Sequence, residues 1–151
     1  MIVSVVGLGY IGLPTAALLA SKGITVVGVD VNQTTVDIIN QGKTHIIEPE
    51  LDTLVQNAVQ TGYLTATIKP KKANVFMIAV PTPFKENHIP DLSYIEAAVR
   101  AISPLLDKGN LVILESTSPV GTTEKMIKWM REERSDLTFP VYGNSISKHD
   151  I

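Results

Sequence analysis

The sequence predicts an α/β protein of the doubly wound kind, a parallel sheet with helices on both faces. Three observations carry this. Short β-branched runs alternate along the chain with longer segments whose apolar residues recur at helical spacing, the sequence form of repeated βαβ units. The strand-length runs, among them IVSVV at 2–6 and VFMIAV at 75–80, are nearly continuous in apolar residues, as expected of strands covered on both faces. Glycine or proline closes almost every segment. With 151 residues, 44% hydrophobic and 19% charged, the chain is one domain's worth of sequence and can bury its own core.

The elements follow in order. Ile2 to Val6 is the first strand, and Leu13, Ala16, Ala17 and Ala20 keep helical spacing until Gly23. Thr25 to Val29 is the second strand, ending at Asp30; Asn32 caps a helix that turns Val36 and Ile39 inward before Gly42. Leu51, Leu54, Val55, Ala58 and Val59 form another apolar stripe closed by Gly62, and Leu64 to Ile68 reads as a strand before Pro70. Val75 to Val80 is cut off by Pro81 and Pro83. Ser93 and Glu96 suggest a capping box for a helix facing inward with Ile95, Ala98, Val99 and Ile102. After the strand Leu111 to Leu114, Ser118 before Pro119 reads as the cap of a last helix. There Glu124–Lys128 and Lys128–Glu132 are spaced as outer ion pairs, with Met126, Ile127 and Met130 inward. From Pro140 onward the chain is polar and weakly periodic. The pattern gives five or six strands with crossover helices.

Composition removes several functions. A formal charge of −2 is unlike the basic face of a nucleic-acid domain. No apolar run approaches the roughly 18 residues of a membrane span, and Ile2 to Val6 leads into glycines rather than a cleavage site, which points to the cytoplasm. With zero cysteines there is no disulfide, thiolate metal site or cysteine nucleophile in this chain. His45, His88 and His149 are scattered without ligand spacing, so no metal centre is expected.

The chemistry concentrates after the first strand. Gly7, Gly9 and Gly12 make G-x-G-x-x-G between a strand and a helix, and a second strand ends in Asp30. In such a turn the first glycine permits the sharp bend, the second lets a pyrophosphate approach and the third lets helix and sheet pack closely. The N–H groups around Tyr10 and Ile11 would face the phosphates. Asp30 would accept hydrogen bonds from ribose hydroxyls and repel a 2′-phosphate, and Val31 and Asn32 offer no cation, so NAD is favoured over NADP. A purely structural turn and an S-adenosylmethionine-type site are the alternatives. Together with the alternating pattern, the motif makes the predicted fold Rossmann-like.

Other signals have two readings each. Thr82 in VPTP could reach a ribose or phosphate, or belong to a rigid turn. The hydroxyls of ESTSPVGTT, at 115–123, could bind an anion or nicotinamide, though capping accounts for Ser118. Glu48 and Glu50 read best as solvated acids before a helix. Tyr10 could pack on a cofactor or be half-buried surface, and Trp129 reads as a packing residue.

The runs GLGYIGLPTA, GVDVN, INQGKTHIIEPEL, AVPTPF and ILESTSPVGTTEK together resemble the NAD-binding domain of the UDP-sugar 6-dehydrogenases, over roughly residues 1–140. Glutamate at 115, where UDP-glucose enzymes often carry lysine, resembles the branch that oxidises UDP-N-acetylmannosamine. Glu50 departs from the glycine that many relatives carry after Glu-Pro. The resemblance implies that C6 of a UDP-sugar is oxidised twice at the expense of two NAD⁺. It implies that Tyr10, Ile11 and Asp30 contact the adenosine-diphosphate half of NAD. Thr82, Thr117 and Thr123 would approach the nicotinamide half, with Thr117 near the reacting water.

The family's thiohemiacetal-forming cysteine, its catalytic lysine and its UDP-binding half have no counterpart in residues 1–151. The expectation is one NAD-binding domain over 1–151, an amino-terminal fragment of an enzyme that is a homodimer, inactive alone because the second oxidation needs a thiol adduct. The UDP-sugar would be held only by the other half, and an apolar surface around Trp129 or the 51–59 helix would meet it. A free-standing NAD-binding module and another hydroxyacid-type dehydrogenase are the competing readings.

Overall fold

In the computed structural model, which describes residues 1–141, the β-branched runs pair in parallel to make the central layer. Strands β1 (Ile2–Val6), β2 (Thr25–Val29), β3 (Leu64–Thr67), β4 (Val75–Ile78) and β5 (Leu111–Leu114) form one sheet in the order β3-β2-β1-β4-β5. β1 is central, in register with β2 from Ile2–Thr25 to Val6–Val29 and with β4 from Val3–Val75 to Val6–Ile78. All strands therefore end at one edge, and at β1 the winding switches sides, with β2 and β3 to one hand and β4 and β5 to the other.

Helices α1 (Gly12–Ser21), α2 (Gln33–Asn40), α3 (Leu51–Gln60), α4 (Ser93–Ile102) and α5 (Thr122–Glu133) cover both faces. The alternation of side chains along a strand sorts the core into two. Val3 and Val5 pack with Leu13, Ala16 and Ala17 of α1 and Val55 of α3; Val6 packs with Phe76, Ile95, Val99 and Ile127 on the other side. The alanines of α1 have no bulk to hold it off the sheet. Ser4 is fully buried between Val3 and Val5, and its hydroxyl has no hydrogen-bond partner. At the sheet edge the Asn40 side chain accepts the N–H of Ala66 at 2.8 Å and donates to its carbonyl at 2.9 Å, so β3 does not present a bare edge there.

The structure corrects the sequence reading at several ends. Strands β3 and β4 stop at Thr67 and Ile78, short of Ile68 and Val80, because the chain turns there to line a cleft. Ser93 is the first residue of α4, not its cap: its N–H donates to Asp91 Oδ1 at 3.0 Å, while Glu96 pairs with Arg100. That backbone bond, with the Ser93 hydroxyl and then Lys85, holds the Asp91 carboxyl below the usual carboxylate range. Ser118 is not the cap of α5, and its side chain caps no helix among the described residues. Helix α5 starts after Gly121, which sits at φ 88°, and Thr122 Oγ1 donates to Pro119 O at 2.7 Å.

The expected pairs of Glu124 and Glu132 with Lys128 do not form among the described residues. Arg100 of α4 instead reaches across to Glu132 at 2.7 Å and Glu133 at 2.9 Å, and these carboxylates raise its already high pKa further. On α3, Leu51, Val55 and Ala58 are buried and Leu54 and Val59 are half-buried, and Trp129 packs half-buried against the α4–α5 core. The exposed apolar side chains lie largely on loops, including Tyr10, Val31, Ile47, Phe84 and Val120. His149 and the polar tail beyond Val141 lie outside the described residues.

Candidate functional site

Where the strands end and the winding switches, a cleft of about 590 Å³ opens. Its floor is the glycine turn, Gly7 to Ile11. One wall is Val29 to Val31 with Ile68 and Pro70; the other is Val80 to Thr82, Ser116 and Thr117. Tyr94, Ala97, Ala98 and Ala101 of α4 close its side.

The three glycines of the turn are glycine for different reasons. Gly7 sits at φ 95°, and a Cβ there would come within 2.6 Å of the Ala79 carbonyl oxygen. A Cβ on Gly12 would overlap the carbonyl oxygen of Gly7. The fold itself demands both. At Gly9 a Cβ would meet nothing within 4 Å, and the backbone there is not left-handed. The protein has no packing use for the missing side chain at 9, so the open space serves the cleft. Just behind it, α1 begins with no side-chain cap and no acid in its first turn. In its first turn Leu13 donates to Gly9 O at 3.1 Å, Thr15 donates to Ile11 O at 3.3 Å and Pro14 has no N–H, so the Gly12 amide is the one left for a partner at the positive end of the helix.

Asp30 does more than its position at a strand end suggests. Its Oδ2 accepts the N–H of Leu8 at 3.0 Å and its Oδ1 accepts the N–H of Asn32 at 2.9 Å. Leu8 is fully buried, its side chain set against Gly28, so the carboxylate anchors the glycine turn to β2. Each oxygen keeps a further lone pair for a hydroxyl donor in the cleft.

On the opposite wall the loops after β4 and β5 are joined by hydroxyls. Ser116 Oγ donates to Val80 O at 2.7 Å, and Thr82 Oγ1 donates to Thr117 O at 2.7 Å. Ser116 is one of the hydroxyls of the 115–123 run, and the structure gives it a part of its own, two residues past the end of β5. Glu115 appeared only as a mark of family branch. In the structure its Oε1 accepts the Thr15 hydroxyl at 2.7 Å, tying α1 to the end of β5, while its Oε2 is buried without a partner.

The cleft thus brings together Gly7, Gly9, Tyr10, Ile11, Asp30, Thr82 and Thr117, with Gly12 behind them at the start of α1. Tyr10 and Ile11 stand exposed at its lip, at 68% and 56%. Thr123 is elsewhere: it is exposed on α5 and lines a second groove, about 580 Å³, beside the outer edge of β5. Glu50 precedes α3 in left-handed backbone at φ 65°. Among the described residues no group of three or more His, Asp or Glu could hold a metal ion, and no helix is long and apolar enough to cross a membrane.

A parallel sheet with a glycine turn at its switch point, an uncapped helix start behind the turn and a carboxylate at the neighbouring strand end define a dinucleotide-binding domain. The family follows from comparison: the model of the UDP-glucose/GDP-mannose dehydrogenase family, NAD binding domain, matches residues 1–147, and the chain belongs to that family, with NAD as its cofactor. It is 67% identical over 146 residues to the UDP-N-acetyl-D-mannosamine dehydrogenase of Campylobacter jejuni, covering 96% of this chain and 36% of that protein. It is 63% identical over 138 residues to the NDP-N-acetyl-D-galactosaminuronic acid dehydrogenase of Ralstonia nicotianae, covering 91% of this chain and 33% of that one. Among solved structures, the UDP-D-ManNAc dehydrogenase of Pyrococcus horikoshii superposes with a TM-score of 0.86 at 46% identity, covering 89% of this chain and 33% of the other. The chain spans about a third of the length of these relatives.

Proposed function

We propose that residues 1–151 act as one NAD-binding domain and that the cleft holds the dinucleotide across the switch point. The adenosine half takes the Asp30 side, where the carboxylate accepts ribose hydroxyls. The pyrophosphate takes the turn, over Gly9 and before the amides of Tyr10, Ile11 and Gly12. The nicotinamide half takes the β4–β5 side, by Thr82 and Thr117. Thr123 stays outside this set, since it lines the other groove. The observation that carries the reading is Gly9, the one glycine of the motif that the fold does not require.

When bound, NAD supplies a hydride acceptor. The reaction we assign to the longer protein is the twofold oxidation of UDP-N-acetylmannosamine at C6, with the sugar held by residues other than these, in a cytoplasmic homodimer. The sugar assignment is supported by the ESTSPVG run and by the name of the C. jejuni relative. The Ralstonia relative, nearly as similar but named for another sugar, supports placing sugar selection outside this domain.

Titration of the chain with NADH, followed by fluorescence, tests the cleft. Saturable binding is expected, and Gly9→Val should abolish it while the circular dichroism spectrum stays nearly unchanged. Undiminished binding by the folded variant would remove the phosphate from this turn.

A further inference from the structure

The β4–β5 ladder ends at Ile78 and Leu114, yet the two chains continue side by side into the cleft wall. Backbone bonds between them reach no further than the N–H groups of Glu115 and Ser116, which both donate to Ile78 O, at 2.8 and 3.1 Å. Hydroxyls take over in alternating directions. Ser116 Oγ, from the β5 side, donates to Val80 O, and Thr82 Oγ1, from the β4 side, donates to Thr117 O. Among the described residues the Thr82 bond is the last that ties the 116–121 loop to the β4 side, because the next one, Thr122 to Pro119, is local.

From this we infer that Thr82 is a positioning residue, fixing Thr117 in the cleft wall before any ligand enters. The inference rests on the cleft reading above. Thr82 has one hydroxyl proton, and the Thr117 carbonyl holds it, so toward a ligand Thr82 can only accept. Thr117 is exposed, and past the Ser116 bonds its loop runs to the left-handed Gly121 with no tie across the wall other than Thr82 among the described residues. Without the Thr82 bond this loop gains freedom that a ligand must remove again on binding. The loss falls on whatever lies over the β4–β5 ends and spares what lies over β1 and β2.

The test compares two ligands that differ by the nicotinamide ring, NADH and ADP-ribose, on the 151-residue chain. Thr82→Val should weaken NADH about three- to tenfold, the worth of one neutral hydrogen bond, and leave ADP-ribose within about twofold. Thr82→Ser, which keeps the donor, should restore NADH affinity. If Thr82 acts through Thr117, then Thr82→Val should cost little more once Thr117→Ala is present, whereas a direct contact would give additive losses. Melting curves confirm that each variant is folded. Additive losses, equal losses for both ligands, or no loss of NADH affinity in Thr82→Val would overturn the inference while ADP-ribose binding left the cleft reading standing. Failure of the unaltered chain to bind either ligand would overturn both.

Discussion

The carboxylate of Asp30, at the end of β2, accepts the backbone N–H of Leu8, in the turn after β1, at 3.0 Å. One side chain therefore shapes the glycine turn and faces the cleft that the turn forms. Asp30→Ala should show this as two separate losses. In ligand-free protein it should lower stability by about 1–2 kcal/mol, the range for a partly exposed charge-assisted bond to an amide, read as a lower Tm. In binding, it should narrow the difference between NADH and NADPH. An unchanged Tm without ligand would show that the Leu8 bond contributes nothing.

Ser4 is the converse case, a polar group that the fold does not use. Its hydroxyl is buried in the central strand without a partner, at the cost that attaches to any unsatisfied buried donor. Ser4→Ala should raise stability by about 1 kcal/mol in denaturant unfolding, with NADH affinity unchanged. Destabilisation would mean that the hydroxyl has a partner in solution.

Glu50 carries strain that can be released. At φ 65° a side chain costs about 1–2 kcal/mol, partly offset in glycine by the greater freedom of its unfolded chain. Glu50→Gly should therefore stabilise by up to about 1 kcal/mol, and Glu50→Val should destabilise by more than that. A destabilised Glu50→Gly would mean that the carboxylate itself holds the start of α3.

What the sequence made legible follows from how local each signal is. The strands, the helices and the glycine turn were readable because β-branching, helical spacing and glycine act over a few residues. Even the departure at Glu50 was visible, and the structure supplies its reason: the position is left-handed, where glycine costs least. Bonds between distant segments were not readable. Nothing in the spacing shows that Thr15 donates to Glu115, that Asn40 covers the edge of β3, or that Glu132 turns to Arg100 instead of Lys128. The capping box fails for a local reason: Asp91, two residues earlier, takes the Ser93 N–H that Glu96 would have accepted. Thr123 could not be separated from Thr117 without knowing where α5 begins.

That Asp91 bond gives a pH dependence with a definite sign. Its folded pKa lies below the ordinary value near 3.9, so the stability it contributes is present above about pH 4 and is lost as pH falls through the lowered folded value. Thermal melts between pH 6 and pH 2 should therefore decline less steeply for Asp91→Asn than for the unaltered chain. Parallel curves would show that the Ser93 bond does not distinguish the charged from the neutral acid.

The most direct measurement is a calorimetric titration of the chain with NADH and with NADPH under identical conditions. In the proposed binding mode a 2′-phosphate would fall beside the Asp30 carboxylate, which lines the cleft, and Val31 and Asn32 bring no cation to it. One like-charge contact in a solvent-open cleft is worth about 1–2 kcal/mol, so NADPH should bind roughly tenfold more weakly than NADH. Equal or tighter binding of NADPH, or no saturable binding of NADH, would contradict the assignment of this cleft to NAD.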